Sequence, residues 1–358
     1  MTLSSPSRAP APTLMVLPTG IGCEVGGFAG DALPSARLLA AASDCLITHP
    51  NVMNGASLYW SDPRIHYVEG YALDRFAVGD WILRPGRRQR IGLLLDAGIE
   101  PELRQRHLQV AEGCRASLGF EIGPVVTTDA PLGVHLEVGE SGISWGTLER
   151  PDALLRAGER LKAAGATALA VVARFPEDSD SAALAAYRHG SGVDALAGAE
   201  AVISHLLVRH LQMPCAHAPA LSPLPLDPQL DARAAGEELG YTFLACVLVG
   251  LSRAPNLLPA STVASGQDLG VDHLVAVVAP AGALGGEAVL ACLERDVPLI
   301  TVVNPSLLHV GAQALDLPVG SVLEASSYAE AAGFVLALRE GVSAAALMRP
   351  LPALQELS

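Results

Sequence analysis

The sequence predicts an α/β fold, Rossmann-like, with mostly parallel sheets and flanking helices arranged in two lobes. Short aliphatic or β-branched runs alternate with longer Ala/Leu/Arg/Glu segments of helical periodicity, the pattern that βαβ units leave in a chain. Glycine or proline turns close most of the aliphatic runs. Half of the 358 residues are hydrophobic and 17% are charged, enough apolar content for a full core and for self-association into a homo-oligomer.

The elements follow in order. Residues 1–12, "MTLSSPSRAPAP", are Ser/Pro/Ala-rich and lack an apolar h-region, so they read as a disordered tail and not as a secretory signal. Strands are expected at Thr13–Leu17, Cys45–Thr48, Arg90–Asp96, Gly123–Thr128, Ala168–Ala173, Pro214–His217, Phe243–Gly250, Asp272–Ala279 and Leu299–Val303. Helices are expected at Asp31–Ala42, Pro101–Leu118, Pro151–Ala164, Asp194–Leu211, Ala232–Leu239, Gly286–Arg295 and Ser327–Glu340. "GVHLEVGESGISWGTL", Gly133–Leu148, alternates apolar and polar residues around "GESG" and reads as a hairpin at a lobe edge. The lobe boundary is placed near Pro151, giving an N-terminal lobe over 13–150 and a C-terminal lobe over 151–358. The proline-rich "PALSPLPLDPQL", Pro219–Leu230, is a further linker.

Charge and cysteine usage exclude several classes. Net charge is −14 and Lys162 is the only lysine, which argues against nucleic-acid binding and leaves almost no Schiff-base chemistry. No apolar run reaches the ~18–20 residues of a membrane helix, so the reading is a cytoplasmic protein with no membrane partner. Six cysteines without a CxxC pair indicate neither a disulfide framework nor a zinc ribbon.

The chemistry-bearing groups gather after the aliphatic runs, where α/β proteins bind ligands. "PTGIGCEVGGFAGDALP" places Gly20, Gly22, Gly26, Gly27 and Gly30 between the first strand and a helix, a loop suited to a phosphate or carboxylate. Its spacing is neither GxGxxG nor a P-loop. A second glycine turn, Gly282, Gly285 and Gly286 before Glu287, repeats the strand–loop–helix pattern. "THPNVMNG" supplies His49, Asn51 and Asn54; "TTDAPLG" supplies Asp129; "YRHGSGVD" supplies His189 and Asp194 in a Gly-rich turn; "PCAHAPALSP" supplies Cys215, His217 and Ser222. Arg174 and Arg253 each follow an apolar run and precede a proline turn, where a guanidinium would clamp an anion. His49, His189 and His217 are expected to act as acid/base groups with Asp129 orienting one of them, and the same four are the candidate ligands of a divalent metal. Glu69 either binds a ligand hydroxyl or caps a local turn, and His66 and His107 read as surface residues.

Together, "DCLITHPNVMNG", "YVEGYALDRF", "LLLDAGIEPELR", "VVTTDAPLG", "YRHGSGVDALAGAEAVISHL", "CAHAPALSPLPLDP", "ELGYTFLACVLVGLSRAP" and "VVAPAGALGGEAVLACLE" resemble a conserved family of uncharacterised proteins best represented in cyanobacteria. The match spans nearly the whole chain. It implies a soluble protein of photosynthetic bacteria, lends no catalytic residues, and implies that alanine replaces Cys23 in relatives. The expectation is an enzyme acting on a small carboxylate- or phosphate-bearing metabolite in a crevice between the two glycine-rich loops. Its alternatives are a non-catalytic nucleotide- or metabolite-binding regulator, a structural assembly protein, and two local resemblances. "GGEAVLACLERDVPLI" looks like the donor-lobe segment of sugar-nucleotide glycosyltransferases, and the opening loop, with Cys23 and Cys215 as a two-base pair, loosely resembles cofactor-independent racemases.

Overall fold

The computed structural model describes residues 10–55, 61–177, 181–238, 243–263, 265–347, 349–351 and 353–354. Strand β1 (Pro12–Met15) runs into the first glycine-rich loop and is followed by α1 (Leu33–Ala42), β2 (Cys45–Thr48), α2 (Pro50–Met53), β3 (Ile65–Tyr67) and α3 (Gly70–Val78). Next come β4 (Trp81–Arg84), β5 (Arg90–Leu95), α4 (Pro101–Leu118), β6 (Glu121–Thr127), β7 (Val134–Val138), β8 (Ser144–Leu148) and α5 (Pro151–Ala163). β9 (Ala168–Arg174), α6 (Ala182–Arg188), α7 (Ala197–Leu211) and β10 (Cys215–Ala220) complete the middle of the chain. α8 (Ala232–Glu238), α9 (Leu244–Ser252) and β11 (Asn256–Pro259) lead back to β12 (Ala276–Pro280), α10 (Glu287–Glu294), β13 (Leu299–Val302), β14 (Val322–Ala325) and α11 (Tyr328–Arg339).

The α/β class expected from the alternation is the class observed. Six parallel strands stand in the order β14-β13-β12-β1-β2-β3, and four in the order β10-β9-β5-β6. β7 and β8 form the hairpin read from "GESG", and β4 pairs antiparallel with β11. β1 lies between β12 and β2, with Leu14 opposite Val277 and Ile47. Its four residues are all buried, as a parallel strand covered on both faces requires.

The larger sheet takes three strands from the start of the chain and three from its end, while the smaller is built between them. Pro151 therefore opens α5 inside the smaller sheet, between β6 and β9. Alternate residues of the strands face two core clusters, and each cluster draws on both sheets. Leu14, Ile47 and Val277 join Leu94 and Val171 on one face, whereas Met15, Leu46 and Val278 join Leu93 and Val172 on the other.

The run Phe243–Gly250, expected as a strand, forms helix α9 instead. Seven of its nine residues are buried because it packs against β5, β9 and β10 on one side and α2 and α4 on the other. A short run that is apolar on every face satisfies a buried strand and a buried helix equally, so tertiary contacts decide. Gly250 permits that packing: a Cβ there would sit 2.6 Å from the Tyr67 ring. Strands β3, β4, β11 and β14, three or four residues each, and helices α2, α3 and α6 were not expected from the periodicity. The expected helix end at Leu239 and residues 1–9 of the tail lie outside the described residues.

Among the described residues, no helix is long and apolar enough to cross a membrane. All six cysteines are free thiols and buried.

Candidate functional site

The loop between β1 and α1 is held from several sides by the protein. The Val25 N–H donates to Asn304 Oδ1 at 2.9 Å, that of Gly26 to Asp31 Oδ1 at 2.6 Å, and that of Ala29 to Glu237 Oε2 at 3.3 Å. Asn51 Nδ2 in turn donates to the Gly26 carbonyl at 2.9 Å. Two glycines are demanded by close approach. Gly26 has φ +89° with Leu17 Cδ1 2.7 Å from its would-be Cβ, and a Cβ on Gly27 would lie 2.2 Å from the Cys23 carbonyl oxygen.

Two adjoining cavities open beside this loop. The first, about 550 Å³, is walled by Gly22–Val25, Gly27 and Phe28, by the turn Gly190–Gly192, and by Arg233. The Arg233 guanidinium stacks over the Phe28 ring at 4.6 Å and is tied to Asp231 at 3.0 Å. Phe28 stacks in turn on Tyr187, with centroids 4.4 Å apart. Tyr187 lines the second cavity, about 860 Å³, so the aromatic pair forms part of the partition between the two. The second cavity lies beyond the carboxyl ends of β9 and β10, between Pro176–Glu177 and Leu221–Pro225. Leu184, Leu196 and Phe243 supply apolar wall, and Asp194 and Glu237 are among the lining residues.

This carboxyl pair is the most perturbed chemistry of the region. Asp194 precedes α7 and accepts the Leu196 N–H at 2.8 Å; Glu237 lies in the last turn of α8 and accepts the Tyr187 hydroxyl at 2.7 Å. Burial, reinforced by the charge of Glu200, holds Asp194 well above the usual carboxylate range. Burial and the charge of Asp194 do the same to Glu237. Both keep some solvent-accessible surface despite lying deep in the protein mass, because they face the cavity. Glu69 is only 5% exposed and is pushed up to about 7 by burial, opposed by His205, whose Nδ1 lies 3.0 Å away. Glu69 also accepts the Tyr71 N–H and so caps α3, the second of the two roles read for it.

The residues singled out from sequence are distributed unevenly over this geometry. Gly22 and Gly27 line the first cavity, whereas Gly20 packs against Ser144. His217 stands on β10 between Ser204 and Glu200 of α7, its Nε2 3.5 Å from Glu200. His49 is buried, and its Nε2 accepts the Leu17 N–H at 2.9 Å; burial pushes the ring down to about 4, so it serves the fold as a neutral acceptor. His189 bonds to Asp227 at 2.9 Å near the surface. Asp129 is half-exposed with both carboxylate oxygens on Arg156. Arg174 is committed to Glu100 and Glu177. Arg253 is exposed and ends a helix, so the strand-end premise for it does not hold. Asn54 accepts the Tyr67 hydroxyl. His107, expected at the surface, is fully buried with Nδ1 on the Leu103 carbonyl, and burial likewise pushes His66 down to about 4.

The two glycine loops meet, but through a small apolar cluster of Ile21, Cys23 and Ala283. Gly282 and Gly285 pack on Leu308 and Val310, nothing lies within 4 Å of a Cβ on Gly286, and Glu287 pairs with Arg75. Among the described residues, no three His, Cys, Asp or Glu side chains come together in a way that could hold a metal. Burial pushes the Cys23 thiol up to about 11 and raises Cys215 well above its ordinary value, which disfavours either thiolate.

Sequence reading missed Glu200, Ser204, Tyr187, Arg233 and Glu237. Only Glu200 and Ser204 left a signal, as polar residues four apart on a mostly apolar helix.

A family model described as "Protein of unknown function (DUF3326)" matches residues 12–348. An uncharacterized lipoprotein of a Synechococcus strain is 55% identical over 336 residues, covering 94% of this chain and 92% of that protein. No solved structure matches the chain significantly.

Proposed function

We propose, for a chain that belongs to the DUF3326 family of proteins of unknown function, that it is an enzyme of small-metabolite chemistry whose site is the pair of cavities beside the first glycine loop. One observation carries the reading: Asp194 and Glu237, from two different segments, line one cavity beyond the strand ends, where burial and neighbouring carboxylates, Glu200 for Asp194 and Asp194 for Glu237, hinder their ionisation. Coupled carboxyls held near the working pH are the arrangement that acid–base catalysis uses, one proton donor beside one acceptor. The adjoining cavity, with its glycine backbone and Arg233, suits the anionic end of a carboxylate- or phosphate-bearing substrate.

The test is thermal-shift screening of the protein against a panel of small carboxylates and phosphate monoesters, followed by turnover assays of each binder. A binder from this panel is expected, weakened at least tenfold by Arg233→Ala. Glu237→Gln is expected to keep binding and lose turnover. Unchanged affinity in Arg233→Ala together with unchanged turnover in Glu237→Gln removes both cavities as the site.

The location we propose is the cytoplasm. The relative's name points to a lipid anchor, but Cys23 is only 3% exposed inside the loop after β1. An acyl chain has no room there in the folded protein. Cell fractionation tests the location: partition with membranes in a high-salt wash overturns it.

A further inference from the structure

His217 is gripped at both ring nitrogens from a single helix face. Glu200 and Ser204 are one turn apart on α7; Ser204 Oγ is hydrogen-bonded to Nδ1, and Glu200 Oε2 lies 3.5 Å from Nε2. Ser204 is 1% exposed and the His217 side chain 11% exposed, so water competes little for either contact. An ionised carboxylate only accepts, so the Glu200 contact is attractive when Nε2 carries the proton. That leaves the Nδ1 lone pair to accept from the serine hydroxyl.

We propose that Ser204 is the positioning residue of His217, donating its hydroxyl to Nδ1 and so holding the neutral ring as the Nε2–H tautomer aimed at Glu200. The proposal rests on the acid–base reading of the Asp194–Glu237 cavity. The groups that face the ring are Ser204 and Glu200 on α7, with Asp194 at the start of α7 and Glu69 before α3 the further carboxyls whose ionisation a charged ring favours. The positioning has a consequence for the site. Glu200 is, after burial, the main cause that holds the proton on Asp194, and the Nε2–H keeps the Glu200 carboxylate in place to do so. A helical serine can also turn its O–H to the carbonyl one turn back and accept through its lone pairs. The imidazolium therefore keeps the same two partners as the neutral ring.

The experiment is long-range ¹H–¹⁵N correlation of the histidine rings in the intact, ligand-free protein, with His217 assigned by loss of its signals in His217→Gln. The expected wild-type result is one tautomer, with Nε2 protonated and Nδ1 bare. Ser204→Ala is expected to lose that preference and populate both tautomers, and Ser204→Thr to restore it. A wild-type ring protonated at Nδ1 overturns the proposal without any variant, which covers the case in which Ser204→Ala does not fold. An unchanged tautomer in a folded Ser204→Ala protein overturns it as well. The acid–base reading stands or falls separately, on the binding and turnover of Arg233→Ala and Glu237→Gln.

Discussion

Asp194 and Glu237 have folded-state pKa values above those of the unfolded chain, so from about pH 4 up through neutrality the native protein binds more protons than the unfolded one. Their contribution to stability is complete at low pH and is lost as pH rises, by at most ~1.4 kcal/mol per pH unit per proton. His49 acts in the opposite sense: with its pKa pushed from 6.5 to about 4, it removes stability as pH falls between those values. The windows overlap, so each effect is read as a difference between wild type and variant in urea unfolding over a pH series. Glu237→Gln is expected to gain on wild type as pH rises, by on the order of 1 kcal/mol between pH 5 and pH 8. A constant offset would show that Glu237 ionises like an exposed carboxylate. His49→Ala is expected to cost ~1–3 kcal/mol at neutral pH, because the buried Leu17 N–H loses its acceptor, and to flatten the acid limb. A variant within a few tenths of a kcal/mol of wild type would remove the hydrogen bond as a stabilising contact. His49 shows why site residues were only partly legible. A histidine after a strand reads alike whether it turns to a ligand or, as here, to an amide just past a neighbouring strand, and nothing local separates the two.

The elements that could be read were those whose pattern exceeds one turn or one face. α4, α5, α7 and α11 carry 12 to 18 residues and lie where periodicity put them, and the β7–β8 hairpin announced itself by alternation. β3, β4, β11 and β14 are too short to show a period, and α9 is apolar on every face, so its contacts had to be known first. The glycine loops divide in the same way. Both read as ligand loops, yet in the first the glycines are fixed mainly by the protein's own approach, and in the second Gly286 faces open space. Two alanine substitutions separate these roles. Gly27→Ala sets a Cβ against the Cys23 carbonyl and forces the backbone apart, so a loss of ~1–3 kcal/mol or more is expected. Gly286→Ala, at φ −75° with nothing within 4 Å, should stay within ~0.5 kcal/mol of wild type. Equal effects in thermal unfolding would mean that crowding around Gly27 does not set the loop's conformation.

At the scale of the whole molecule, the order of the strands was the part least accessible to a linear reading, because alternation names the class without naming partners. The chain closes its larger sheet by bringing β12 beside β1, so β1 holds the two halves of that sheet together. This bears on how a lipid could be attached. A lipid acceptor cysteine becomes the first residue of the mature chain, and cleavage before Cys23 would remove β1 with Leu14 and Met15, both fully buried, one in each core cluster. At ~1.5–3 kcal/mol for each such side chain, and with β12 and β2 left unpaired along their inner edges, the loss is comparable to the whole stability of a domain. Intact-mass and N-terminal peptide analysis of the protein from its native cells are therefore expected to show residues 12–22 present and Cys23 unmodified. Cys23→Ser should leave its distribution between membrane and soluble fractions unchanged. A mature chain beginning at an acylated Cys23 would mean that the larger sheet forms without its central strand, and that the fold described for this protein is not the one it adopts in the cell.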